Sequence, residues 1–178
     1  MRAIKLLGIF LLAACRPTGE SPEQTQFKQN PPRQSRESSI EAHRAVVQKE
    51  VESIKAYIED RDLELQRNGT GIYFKIDSLG KGDSPETGDE VFYNYQISML
   101  NGSVLYQNEG NPAQLLIDQE DAEIGLHESL KMLRLGDKGF FILPSHRAFG
   151  VAGDQNKVPP FTALVYQLEI LEIQKQQK

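Results

Sequence analysis

The stretch PSHRAFGVAGDQNKVPP, Pro144 to Pro160, lies between two strongly apolar runs, FFIL before it and FTALVYQLEIL after it. Gly150, Gly153 and two adjacent prolines punctuate it, so it reads as a long loop joining two strands. Pro159 biases Val158 toward an extended conformation. Neither proline has an amide donor, which suits the first residues of a strand and not its middle.

Outward from this loop, Lys138 to Leu143 and Phe161 to Ile173 read as its flanking strands. Upstream, Asp121 is placed to cap a short helix with Ile124, Leu130 and Leu133 as buried positions and Gly136 as its end. Further back lie strands over Ile72 to Ile76 and Glu90 to Leu100. In the second, Tyr93, Tyr95, Ile97 and Met99 share one face, while Asn94, Gln96 and Ser98 share the other. Asn101-Gly102 is a hairpin signal that returns the chain through Ser103 to Gln107, and Leu115 to Ile117 reads as one more short strand. Strands that alternate with a single helix imply an α+β fold, an antiparallel sheet wrapped over one short helix. No internal repeat is present.

Ahead of this domain, Ser38 stands three residues before Glu41, the spacing of a capping box, and Val47, Val51, Ile54 and Ile58 follow at steps of four, three and four. The spacing predicts an amphipathic N-terminal helix over 38–68, ending near Asn68-Gly69, whose apolar stripe packs on the following domain or meets a partner. Residues 16–37 are rich in Pro, Gln and Ser and read as a flexible tether. Before them, Arg2 and Lys5 precede an apolar run from Leu6 to Ala14, the layout of an export signal and too short for a membrane span. Leu12-Ala13-Ala14-Cys15 resembles a bacterial lipobox, which implies a signal peptide over 1–14 and a lipid on Cys15. The implied location is the cell envelope, lipid-anchored to a membrane and facing the periplasm.

Cys15 is the only cysteine, so an intramolecular disulfide is excluded. A formal net charge of −5 argues against a nucleic-acid partner. His43, His127 and His146 show no metal-ligand spacing, and no P-loop, G-x-S-x-G or G-x-G-x-x-G motif occurs, so no metal or cofactor is expected. Glu120, Asp121 and Glu123 cluster at a helix start, where the helix dipole favours them in any case.

Taken together, Gly88-Asp89-Glu90-Val91, Tyr95, Gly102, Leu135-Gly136-Asp137-Lys138, Ala148-Phe149-Gly150 and Val158-Pro159-Pro160, followed by LVYQLEILEI, resemble the FKBP-type peptidyl-prolyl cis-trans isomerases. The likeness covers 69–174. With lipobox, tether and helix ahead of it, the chain is similar in particular to the isomerase-like lipoproteins associated with gliding motility in Bacteroidota.

The resemblance implies that the opening stretch overhangs a shallow apolar pocket and that the paired prolines start the last strand. It implies a pocket made of Tyr95, Tyr106 and Phe149 as catalytic positions, with Leu105, Glu123, Leu126, Val158 and Tyr166 binding substrate. The main-chain donors there would be those of Glu123 and Val158. The chain departs from the family where Leu105 and Tyr106 replace Phe and Asp, Glu123 an aliphatic residue, Leu126 a Trp floor and Phe149 a Tyr. An Asp acceptor and a Tyr hydroxyl are thus missing from their usual places. Tyr95 and Tyr166 are equally read as half-buried strand aromatics, and Leu126 as core. The implied partners are proline-containing polypeptide clients in the envelope. The alternative reading keeps the fold without catalysis, as a chaperone or scaffold that holds an envelope partner.

Overall fold

The computed structural model describes residues 33–77, 80–108 and 110–176. Cys15, the expected signal segment and most of the expected tether lie outside them. The elements in chain order are α1 (Arg33–Asp60), β1 (Gln66–Arg67), β2 (Tyr73–Asp77), β3 (Glu90–Met99), β4 (Val104–Gln107), β5 (Ala113–Leu116), α2 (Ile124–Lys131), β6 (Lys138–Leu143) and β7 (Leu164–Gln174). The strands form one antiparallel sheet in the order β1-β2-β6-β7-β3-β4, with β5 also paired to β3. This is the expected α+β architecture.

Alternation along β6 and β7 sorts their side chains onto two faces, since successive residues of a strand point to opposite sides. Phe141, Leu143, Leu164 and Tyr166 join Leu126, Leu130 and Leu133 in the larger core. On the other face, Ile142, Ala163 and Val165 pack with Ile54, and Tyr57, Ile58 and Phe140 flank them. The sheet is therefore covered on both sides, α2 with one core and α1 with the other.

Several boundaries differ from the sequence reading. The first helix begins at Arg33, so Ser38 and Glu41 lie inside it and do not form its N-terminal cap, and residues 33–37 are helix where a tether was expected. It stops at Asp60, and Leu63 N–H bonds Ile58 O across the turn at Asp62, whose φ is 50°. Gln66 and Arg67 then pair with Phe74 and Tyr73, because the edge of β2 offers main-chain partners that a longer helix would leave unused. Only the second half of the apolar stripe docks: Ile54 is buried, whereas Val47 is 38% exposed.

The second helix is capped by Glu123, not Asp121, and without a side-chain cap bond. Ile124, expected to be buried, is 61% exposed, and Leu126 takes the inward position. Gly136 does not end the helix, which closes at Met132; with φ 84° it serves the turn before β6. The last strand starts four residues after the paired prolines, since Phe161 adopts φ 54° and its N–H bonds Gly150 O to close the loop first.

Two aspartates in the GDEV and LGDK runs organise turns. Asp137, 2% exposed, accepts the N–H groups of Gly80 at 2.7 Å and Arg134 at 2.8 Å. Asp89 accepts Glu86 N–H at 2.7 Å, Gln176 N–H at 3.0 Å and the Lys175 ammonium at 2.9 Å. Burial opposes its ionisation, but those donors outweigh it and hold its pKa below the usual aspartate value. Both sequence motifs thus fix the loops that frame the sheet.

Candidate active site

A cavity of about 710 Å³ opens between the α2 side of the sheet and the long loop. Tyr93, Tyr95 and Ile97 come from β3, Tyr106 from β4, Ala113 and Leu115 from β5, Leu126 from α2, Phe149 and Asp154 from the loop, and Tyr166 from β7. Of the expected residues, Tyr95, Tyr106, Phe149, Glu123, Leu126 and Tyr166 line it. Leu105 and Val158 do not. Both are buried in the core behind the wall, because the hairpin and the return of the loop turn them inward.

The two floor positions are set by neighbours on different elements. Tyr166 is fully buried and Leu126 is 6% exposed. Gly125, one residue before Leu126, lets α2 approach the sheet closely, since a Cβ there would collide with Arg147 O and Leu143. Leucine at 126 leaves this floor aliphatic.

The carboxylate and hydroxyl that their usual positions lack are both present, supplied by the opposite partners. Tyr106 on β4 donates its hydroxyl to Asp154 in the loop. Asp154 also accepts Asn156 N–H at 2.9 Å and Val158 N–H at 2.7 Å. Desolvation works against the Asp154 charge, yet the Tyr106 hydroxyl and these amides hold its pKa below the usual value. The same bond raises the Tyr106 pKa. Val158 N–H is therefore committed to Asp154 and is not a free donor for substrate, contrary to expectation. Glu123 N–H likewise faces its own carboxylate.

Gly153 makes this loop possible. It has φ +65°, and a Cβ there would run into Val158 O, so only glycine allows the chain to fold Asp154 back over Val158. Lys157 completes the rim, its ammonium 4.8 Å from the Tyr106 ring centre and 2.9 Å from Leu105 O. Ahead of Phe149, the short 3-10 turn Ser145–Arg147 is held from the α1 side: Glu50 accepts Ser145 N–H at 2.6 Å and Ser145 Oγ at 3.0 Å. On its other side Arg147 pairs with Glu128 at 3.2 Å, and Thr70 donates to Glu128 at 2.7 Å.

Deeper in, Tyr93 and Tyr166 are pushed to high pKa first by burial and then by the Glu123 charge. Glu123 itself is raised above the usual glutamate value, chiefly by desolvation. Although Tyr166 stands beside Glu123, its hydroxyl makes no hydrogen bond of ordinary geometry. Tyr93, Ile97 and Asp154 were not singled out as site residues from the sequence. The shared strand face of Tyr93, Tyr95 and Ile97 carried the signal for the first two; nothing local marks Asp154, which reaches the site only by the loop's closure.

Residues 81–171 match the family model described as FKBP-type peptidyl-prolyl cis-trans isomerase. The chain is 29% identical over 121 residues to the FKBP-type 22 kDa peptidyl-prolyl cis-trans isomerase of Escherichia coli, covering 66% of this chain and 58% of that protein. It is 28% identical over 112 residues to a probable FKBP-type isomerase of Haemophilus influenzae, covering 62% of this chain and 46% of that one. Across such relatives, the chain spans about half of their length. In fold it is similar to the crystal structure of FkpA from Escherichia coli, with a TM-score of 0.62 at 24% identity over 80% of this chain and 73% of the other. A peptidyl-prolyl cis-trans isomerase of Pseudomonas syringae gives the same TM-score at 21% identity, covering 74% of this chain and 96% of that one. Sheet order, cavity and the match over residues 81–171 agree, and the chain belongs to the FKBP-type peptidyl-prolyl cis-trans isomerase family.

Proposed function

We propose that this protein is a peptidyl-prolyl cis-trans isomerase that acts on proline-containing polypeptides of the cell envelope, to which a lipid on Cys15 anchors it. The observation that carries the catalytic part is the cavity itself, whose aromatic and aliphatic side chains form a bowl with a hydroxyl–carboxylate pair on its wall and further acids at its edge. An amide before proline rotates slowly because rotation breaks C–N resonance, a barrier of about 18 to 20 kcal/mol. A site that binds the twisted amide better than either planar form lowers this barrier without any covalent step.

The bowl is suited to that task. Tyr95, Phe149, Leu126 and Tyr166 offer apolar and ring surface to a proline ring. Its apolar surface favours the twisted amide, whose lost resonance has made it less polar. Tyr106, oriented by Asp154, keeps its hydroxyl at a fixed place on the wall.

The lipobox at Leu12-Ala13-Ala14-Cys15 supports the anchor. The likeness to gliding-motility lipoproteins supports clients belonging to such an envelope machine.

The test is cis-to-trans exchange of Leu-Pro and Phe-Pro peptides, followed by NMR with the full-length protein. Catalysed exchange is the expected result. Exchange at the background rate, with peptide still bound, would replace this reading with that of a binding scaffold.

A further inference from the structure

The cavity carries charge of one sign. Glu120, Asp121 and Glu123, from the segment leading into α2, and Asp154, from the long loop, all line it, and no lysine or arginine does. None of the four forms a salt bridge among the described residues. The Lys157 ammonium at the rim is engaged with Leu105 O and the Tyr106 ring. His127 beneath the rim accepts Asp118 N–H on Nδ1 and is 3.2 Å from Glu120 O through Nε2, so both ring nitrogens are engaged by the main chain.

A second, independent feature points the same way. Tyr166 lines the cavity, and its buried Oη faces Glu123 without a hydrogen bond of ordinary geometry to satisfy it. Buried polar atoms are normally satisfied, and an orphan in a binding cavity marks a place where a ligand atom belongs. Glu123 is half-buried in the same corner, where desolvation penalises its charge. One cationic group would relieve both, since an ammonium or guanidinium donates to a carboxylate and to a phenol oxygen at once. No group of three or more His, Cys, Asp or Glu among the described residues is arranged to hold a metal ion, so a metal is not the cation these side chains fit.

We propose that the cavity selects proline segments carrying a lysine or arginine next to the proline, its cationic head received by Glu123 and Tyr166 Oη, with Asp121 and Asp154 on the rim. This rests on the isomerase reading above for its substrate and adds the sequence context. Lysine and arginine stems are apolar for most of their length, so they lie along the same lining as the proline ring while the head reaches the acids. Acidic neighbours are repelled, which makes the selection two-sided.

The experiment compares Ala-Xaa-Pro-Phe peptides, with Xaa as Lys, Leu or Glu, on the full-length protein. Catalysis is read by NMR exchange and affinity by chemical-shift titration, at about 20 mM and about 500 mM salt. The expected kcat/KM and affinity for Lys-Pro exceed those for Glu-Pro roughly tenfold at low salt, about 1.36 kcal/mol, and by no more than about twofold at high salt. Glu123→Gln should reduce the Lys-to-Glu ratio at least about threefold, equivalent to roughly 0.65 kcal/mol. Glu172→Gln, an exposed acid outside the cavity, should leave that ratio unchanged and so separates local recognition from net charge. Equal binding of Lys-Pro and Glu-Pro at low salt overturns the proposal, as does a preference that Glu172→Gln erodes as much as Glu123→Gln. Absent catalysis with a retained Lys-Pro binding preference would overturn only the isomerase reading.

Discussion

At the scale of single residues, the informative pair is Tyr106 and Asp154. Tyr106 replaces the aspartate that the resemblance leads one to expect on β4, and Phe149 replaces the loop tyrosine. The fold restores both groups by bringing a loop aspartate to a strand tyrosine. Tyr106→Asp would set a second carboxylate against Asp154, and like charges at that distance are unfavourable; isomerisation should fall, with Asn156 and Val158 amides losing their order in NMR spectra. Phe149→Tyr adds a hydroxyl to the cavity lining. A hydrogen bond from it is worth about 0.5 to 1.5 kcal/mol, so at about 1.36 kcal/mol per decade kcat/KM should rise roughly 2- to 13-fold. An unchanged rate would mean that the new hydroxyl finds water and not the reacting amide. Glu123 yields a pH prediction. Its folded pKa is raised, so the folded state binds more protons than the unfolded state as pH rises above the ordinary glutamate value. Stability is therefore lost with rising pH in that window. Glu123→Gln should raise the melting temperature at pH 7 and have a diminishing effect as pH falls toward the ordinary value; thermal scans across that range check the sign.

Among the elements, α1 is divided by what lies beneath it. Its second half puts Ile54 on Ile142, Ala163 and Val165, and Glu50 under Ser145. Its first half leaves Ile40, Val46 and Val47 exposed, apart from the edge contact of His43 with Phe161 at 5.5 Å. Ile54→Ala should therefore cost about 2 to 5 kcal/mol, whereas Val47→Ala should stay within roughly 0.5 kcal/mol. Chemical denaturation of the two variants measures both; similar losses would show that the stripe acts as one buried unit. Ile54→Ala should also loosen the turn before Phe149, since Glu50 reaches Ser145 from the same stretch of helix. The long loop is the second divided element. Gly153, Asp154 and the Phe161–Gly150 bond fold it upon itself, which is why the strand expected to start at the prolines begins only at Leu164.

For the molecule as a whole, the two faces of one sheet have different tasks. One builds the cavity with α2 and the loop; the other seats α1, whose 28 residues make a rod of about 42 Å. Leu12-Ala13-Ala14-Cys15, which resembles a lipobox, precedes that rod in the sequence, so α1 lies along the chain between the proposed anchor and the cavity. No helix among the described residues is long and apolar enough to cross a membrane. Cys15→Ser should lose fatty-acid labelling and move the full-length protein from the detergent to the aqueous phase, while peptide isomerisation in solution remains; unchanged partitioning would remove the lipid anchor from the proposal.

The sequence by itself determined the α+β class, the hairpin at Asn101-Gly102, the bounds of β6 at Lys138 and Leu143, and the helical nature of the segment carrying Val47 to Ile58. These are carried by local properties: turn chemistry, alternation and a 3.6-residue stripe act within a few residues of where they are written. Six of the eight residues that the resemblance names line one cavity. Tertiary structure alone decided that Leu105 and Val158 turn into the core, that Ile124 faces solvent, that α1 docks by half its stripe, and that Asp154 meets Tyr106 across 48 residues of chain. The reason is that a loop's closure and a helix's rotation minimise the free energy of contacts with distant strands. No short window of sequence contains those contacts.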